Sequence, residues 1–137
     1  MKQVFINLPV IDFEKSLNFY LELGFILNPL FTDKYQKCLI WSDAIYVMLQ
    51  SQEFSNAYSK KELVGPSVYS SASHTLPVES IEKVNQIVEY GLKAGGVEPV
   101  AVLDEGFMYL RTIEDFDGNA WGIMYLDVNA FKILKGR

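Results

Sequence analysis

Apolar residues alternate with other types at Val4, Ile6, Leu8 and Val10, the period-2 pattern of a strand with one buried face. The period then lengthens. Phe13, Leu17, Tyr20 and Leu21 fall on one face of a helix that Asp12 can cap and Gly24 can end. The same handover occurs in the second half: His74, Leu76 and Val78 alternate, and Ile81, Val84, Val88 and Leu92 form a helical stripe behind a possible cap at Ser80. Gly91, Gly95 and Gly96 read as helix-end glycines, with no GxGxxG context for a dinucleotide. Three strand-like segments follow each helix, at residues 25–31, 37–41 and 45–50 and at residues 98–103, 107–113 and 120–126. The last hairpins turn at Ser42-Asp43 and at Asp117-Gly118-Asn119.

Identities support this repetition. Leu8-Pro9-Val10 followed by Glu14-Lys15 returns 68 positions on as Leu76-Pro77-Val78 followed by Glu82-Lys83, and Asp43 aligns with Asp117 at an offset of 74. Each half reads β-α-β-β-β. A module of about 65 residues buries little surface alone, so the halves are expected to share a core. The predicted fold is α+β, with two tandem modules forming one eight-stranded curved sheet, helices outside and a cleft inside. One domain spans residues 1–137, with a first module at about 1–55, a second at about 70–127 and a tail helix at 128–137 bearing Val128, Phe131 and Leu134. A polar loop at residues 51–71, with Gly65 and Pro66, joins the modules.

Composition narrows the partners. Half of the 137 residues are hydrophobic, which excludes intrinsic disorder. Twelve Lys and Arg against 17 Asp and Glu leave a net charge of −5, the wrong sign for neutralising nucleic-acid phosphates or anionic membrane surfaces. One cysteine, Cys38, allows no internal disulfide, and residues 1–10 lack the features of a signal peptide. No apolar run reaches the roughly 18 residues that a membrane span needs. A cytoplasmic location is therefore expected.

The run INLPVIDFEKSLNFYLELGF at residues 6–25, the half-chain repeat and the closing EDFDGNAWGIMYLD at residues 114–127 resemble the vicinal oxygen chelate superfamily. That superfamily includes glyoxalase I, extradiol dioxygenases and bleomycin- and fosfomycin-resistance proteins. The resemblance implies a concave sheet that holds a divalent metal through four side chains, one on the first and one on the last strand of each module, and it implies a homodimer. Carried onto this sequence, the four positions are Phe5, Met48, Ser73 and Gly122. Phe and Gly offer no donor, Met is a soft ligand and a lone Ser hydroxyl a poor one. No metal and no other cofactor is therefore expected, and glyoxalase or dioxygenase activity is left open.

Strand parity selects the same face. Val4, Ile6, Leu8, Val10, Ile45, Val47, Leu49, His74, Leu76, Val78, Trp121, Ile123 and Tyr125 share the parity expected against the helices. The other parity holds Phe5, Asn7, Tyr46, Met48, Gln50, Ser73, Thr75, Gly122 and Met124, together with Ala120, a mixture suited to a ligand cleft. These nine residues, without Ala120, form the expected small-molecule site, the ligand itself being unidentified. Cys38 reads as an inert buried thiol, and Glu114 and Asp115 as structural. Asp12, Glu14, Glu22, Glu79, Glu82 and Glu89 read as residues of caps, turns and solvated helix faces. A metal-independent binding protein is the leading reading. The alternatives are a metal-dependent lyase or dioxygenase with an unconventional site using His74 and a carboxylate, and a dimeric structural domain without a ligand.

Overall fold

The computed structural model describes residues 1–61, 67–70 and 72–136. Gly65 and Pro66 of the expected loop, and Arg137 of the expected tail, lie outside the described residues. In chain order the elements are β1 (Val4–Pro9), α1 (Phe13–Leu23), β2 (Ile26–Asn28), β3 (Gln36–Ser42), β4 (Ile45–Gln50) and α2 (Gln52–Ala57). The second half contributes β5 (His74–Pro77), α3 (Ile81–Lys93), β6 (Leu103–Asp104), β7 (Met108–Glu114), β8 (Ala120–Leu126) and α4 (Val128–Lys135). The eight strands form two four-stranded sheets of identical topology, ordered β1-β4-β3-β2 and β5-β8-β7-β6. In each sheet the first and last strands of the module run parallel. Leu8 pairs with Leu49 and Leu76 with Ile123, so the repeated leucines occupy equivalent places. No helix among the described residues is long and apolar enough to cross a membrane.

Local chemistry explains the helix ends. Asp12 accepts a hydrogen bond from the Lys15 N–H and Ser80 one from the Lys83 N–H, the N-cap arrangement that satisfies orphan donors. Gly24 ends α1 in the left-handed region at φ +119°.

Three elements differ from the sequence expectation. The strand expected at 25–31 ends at Asn28, because Pro29 opens a short 3-10 turn over Pro29–Phe31. The strand expected at 98–103 is reduced to Leu103–Asp104 and one bridge between Val97 and Glu114. Pro99, which has no N–H to donate, stands in the gap. The expected loop at 51–71 contains α2, capped by Ser51, whose Oγ accepts from the Phe54 N–H.

The helical stripes are also shifted. The buried residues of α1 are Ser16, Phe19, Tyr20 and Leu23, with Leu21 exposed, and those of α3 are Val84, Ile87, Val88 and Gly91, with Ile81 exposed. Every one of the first four maps onto its mate at the repeat offset of 68. Gly91 is therefore not a helix-end glycine. A Cβ built on it would stand 2.8 Å from Leu23 Cδ2 and 2.4 Å from Ile113 Cδ1, so its bareness is what lets α1, α3 and β7 close on one another. One apolar cluster, with Tyr20, Leu39, Val47, Val88, Ile113 and Trp121 among its members, spans both modules.

Two polar networks are buried in this assembly. Asp115 accepts from the backbone N–H groups of Asp117 and Asn119 at 2.9 and 2.8 Å and from the Asn119 amide at 2.9 Å, which shapes the β7–β8 turn. Its other partner is the Tyr20 hydroxyl at 2.5 Å, which in turn accepts from Trp121 Nε1 at 2.9 Å. Burial pushes the Tyr20 hydroxyl well above its ordinary pKa, and the Asp115 carboxylate adds to the effect. The neighbouring Asp117 accepts from the Ile11 N–H at 3.1 Å, and burial raises its carboxyl as well.

The second network centres on Arg111, on the α3 side of β7. Its Nε and Nη2 bind both oxygens of Glu98, at 2.9 and 2.8 Å, and it also reaches Glu89 and Asn85. Glu89 lies on a solvated helix face as expected, its side chain more than half exposed, and from there its Oε1 meets Arg111 Nη2 at 3.0 Å. The hydrogen bond from Arg111 holds the Glu98 carboxyl below its ordinary pKa.

Candidate functional site

The pairing of β1, β4 and β3 arranges three cross-strand rows on the face of the first sheet turned away from the core. They are Pro9–Gln50–Gln36, Asn7–Met48–Cys38 and Phe5–Tyr46–Ile40. Paired residues share a face, while their neighbours Leu8, Val47 and Leu49 point into the apolar cluster. At one end of this face Phe5 stacks on Tyr46, with ring centroids 4.5 Å apart and planes 9° from parallel. Met48 and Cys38 are buried in the middle row, and burial pushes the Cys38 thiol up.

The other end is open beneath α2. A cavity of about 410 Å³ lies there, lined from the sheet side by Asn7, Gln36 and Gln50 and from α2 by Phe54, Ser55 and Tyr58. Ser55 Oγ donates to Gln50 Oε1 at 3.1 Å, and Gln50 Nε2 donates to Gln36 Oε1 at 3.5 Å. Phe54 stacks on Tyr35 at 6.3 Å and meets Tyr58 at 4.9 Å, so an aromatic tier stands opposite the carboxamides. Of the nine expected cleft residues, Asn7 and Gln50 line this cavity. Phe5, Tyr46 and Met48 lie on the same sheet outside the lining.

Ser73, Thr75, Gly122 and Met124 belong to the second half, with Ser73 just before β5. There Thr75, Gly122 and Thr112 form one row, and Leu110 Cδ1 and Thr75 Oγ1 each stand 3.0 Å from where a Gly122 Cβ would be. A side chain at Gly122 would therefore crowd Leu110 and Thr75, while Ser73 and Thr75 themselves are exposed. Gln36, Phe54, Ser55 and Tyr58 escaped the sequence reading. Gln36 had the right parity signal opposite Gln50, whereas the other three depend on α2.

The four ligand positions implied by the resemblance divide two and two between the sheets, as Phe5 with Met48 and Ser73 with Gly122. None supplies an imidazole or carboxylate. Among the described residues no three of His, Cys, Asp and Glu converge closely enough to hold a metal ion. The residues present therefore do not fit the superfamily's metal. His74 keeps the helix-facing parity. It pairs in register with Trp121, its ring lies 5.0 Å from the indole, and burial lowers its pKa.

With this geometry in hand, comparison with solved structures identifies the fold. A hypothetical protein from S. aureus matches with 24% identity over 91% of this chain and 94% of its own, at a TM-score of 0.77. A glyoxalase-related enzyme from Fulvimarina pelagi matches with 21% identity over 91% and 88%, at 0.75. A bleomycin resistance determinant encoded on the transposon Tn5 matches with 19% identity over 93% and 99%, at 0.64. No family model matches the sequence, and no curated protein does. The chain shares the fold of these proteins, the glyoxalase-like fold.

Proposed function

We propose that this chain is a metal-independent small-molecule-binding protein whose site is the cavity between the first sheet and α2. The observation that carries the reading is the lining itself, which joins three carboxamides and two hydroxyls to an aromatic wall. Such a lining orients a ligand by hydrogen bonds and apolar contact, and it contains no acid, base or nucleophile poised for chemistry. The volume of about 410 Å³ suits a drug-sized molecule. One protein with this fold is a bleomycin resistance determinant, and withholding a compound requires a cavity rather than reactive groups. Metal independence rests on the donor chemistry of Phe5, Met48, Ser73 and Gly122. Assembly as a homodimer and a cytoplasmic location belong to the same proposal. For the dimer, Ile133 and Leu134 expose apolar surface on α4.

The test is a thermal-shift screen of chelator-treated protein against a compound library, with hits repeated on a Gln50→Leu variant. Hits that need no added metal and are lost in the variant are expected. Hits that appear only with metal, or about one equivalent of tightly held metal by elemental analysis, would overturn metal independence. Sedimentation showing monomer at tens of micromolar would overturn the dimer.

A further inference from the structure

We infer that the cavity selects an uncharged ligand, one that joins a planar apolar group to a carboxamide-like pair of hydrogen-bonding atoms, and that it discriminates against carboxylates and ammonium ions of the same shape. The inference rests on the binding reading above and adds the chemistry of the ligand.

Charge is the first argument. Among the described residues, the lining contains no Asp, Glu, His, Lys or Arg. The nearest acid in sequence to Gln36 is Asp33, whose carboxylate is turned back onto the N–H groups of Tyr35 and Gln36. Lys37 projects to the opposite side of β3, where its ammonium donates to the Asp33 carbonyl and lies 5.4 Å from the Phe13 ring centroid. An ion settling here gives up part of its hydration without gaining a counter-charge from the lining.

The second argument counts unused hydrogen-bonding capacity. The Ser55–Gln50–Gln36 relay uses one lone pair of Gln50 Oε1, one Gln50 N–H and one lone pair of Gln36 Oε1. Left over are one lone pair on each glutamine Oε1, the second Gln50 N–H and both N–H groups of Gln36, while the Asn7 carboxamide has no side-chain partner among the described residues. The sheet side therefore offers both donors and acceptors, at the glutamines and at Asn7 alike. A carboxamide, lactam or imide edge complements that set, since it carries both kinds of group without charge. Phe54 and Tyr58 supply a tilted aromatic surface for the ligand's flat part.

Four probes of one shape separate these demands: 2-naphthamide, 2-naphthoate, (naphthalen-2-yl)methylammonium and 2-methylnaphthalene, each titrated into the full chain and followed by NMR of the Asn and Gln side-chain amides. The naphthamide should shift the Gln36, Gln50 and Asn7 amides and bind at least about tenfold more tightly than the other three, a margin of about 1.4 kcal/mol. Gln50→Glu should turn the preference toward the ammonium probe, and Gln36→Glu provides the same check if the first variant does not fold. Naphthoate, ammonium or methylnaphthalene binding as tightly as the naphthamide in the native cavity overturns the ligand class and leaves the binding reading standing. Absence of any cavity shift with all four probes removes the binding reading, and the inference falls with it.

Discussion

Tyr20 on α1 donates a 2.5 Å hydrogen bond to Asp115, 95 positions away in the chain, and accepts one from Trp121. The two segments that carry the family resemblance, one near each end of the sequence, therefore meet at this buried junction and again where Asp117 accepts from the Ile11 N–H. Their residues are explained by this junction, which ties the first module's helix to the second module's final turn.

Tyr20→Phe should destabilise the fold by about 1–3 kcal/mol, because it leaves the buried Trp121 N–H without its acceptor and removes one of the four hydrogen bonds to the Asp115 carboxylate, the other three remaining. Urea unfolding measures this. A loss below about 0.5 kcal/mol, the range of ordinary surface changes, would show that the junction is not a principal support.

Acid stability should depend on Glu98. Its carboxyl is held below the ordinary range by Arg111, so its stabilisation is full above the unfolded value of about 4.3 and is lost as pH falls toward the folded-state pKa. The stability gap between native protein and Glu98→Gln should be constant from pH 7 to about 5 and shrink below about 4. A gap that widens on acidification contradicts the ion pair.

Gly91→Ala should cost about 1–3 kcal/mol through overpacking against Ile113 and Leu23, even though alanine favours a helix by about 1 kcal/mol over glycine. Unchanged thermal stability would mean that α1 and α3 separate more easily than their packing indicates.

Ser51→Ala removes the N-cap of α2, a helix of six residues. Amide exchange over residues 52–57 should accelerate by roughly fivefold, corresponding to about 1 kcal/mol. The core amides of β4 and β8 should be unaffected. Global loss of protection instead would make α2 part of the main folding unit.

The legible parts of this fold were those fixed by neighbours in sequence. Asp12 and Ser80 as caps, Gly24 as a stop and β8 at 120–126 follow from local hydrogen bonding and period-2 alternation. Strand parity likewise brought Asn7 and Gln50 to the right face. Helix α2 stayed hidden because its segment is polar and its apolar pair, Phe54 and Tyr58, shows only one i, i+4 spacing. Phe54, Ser55 and Tyr58 of the cavity lining were lost with it. Arg111 could have been noticed as a cation at helix-facing parity in β7, yet its partners Glu98, Glu89 and Asn85 converge only through tertiary structure.

Leu23 and Gly91 are mates under the repeat, and they touch. Contact between equivalent positions is the mark of a two-fold relation, which here runs between helices of one chain. Two identical half-length chains would have to place the same side chain at both positions, either two leucines in a space that holds one or two glycines around a void. Joining the halves covalently frees the two positions to differ, so a large residue can fill the room its counterpart leaves.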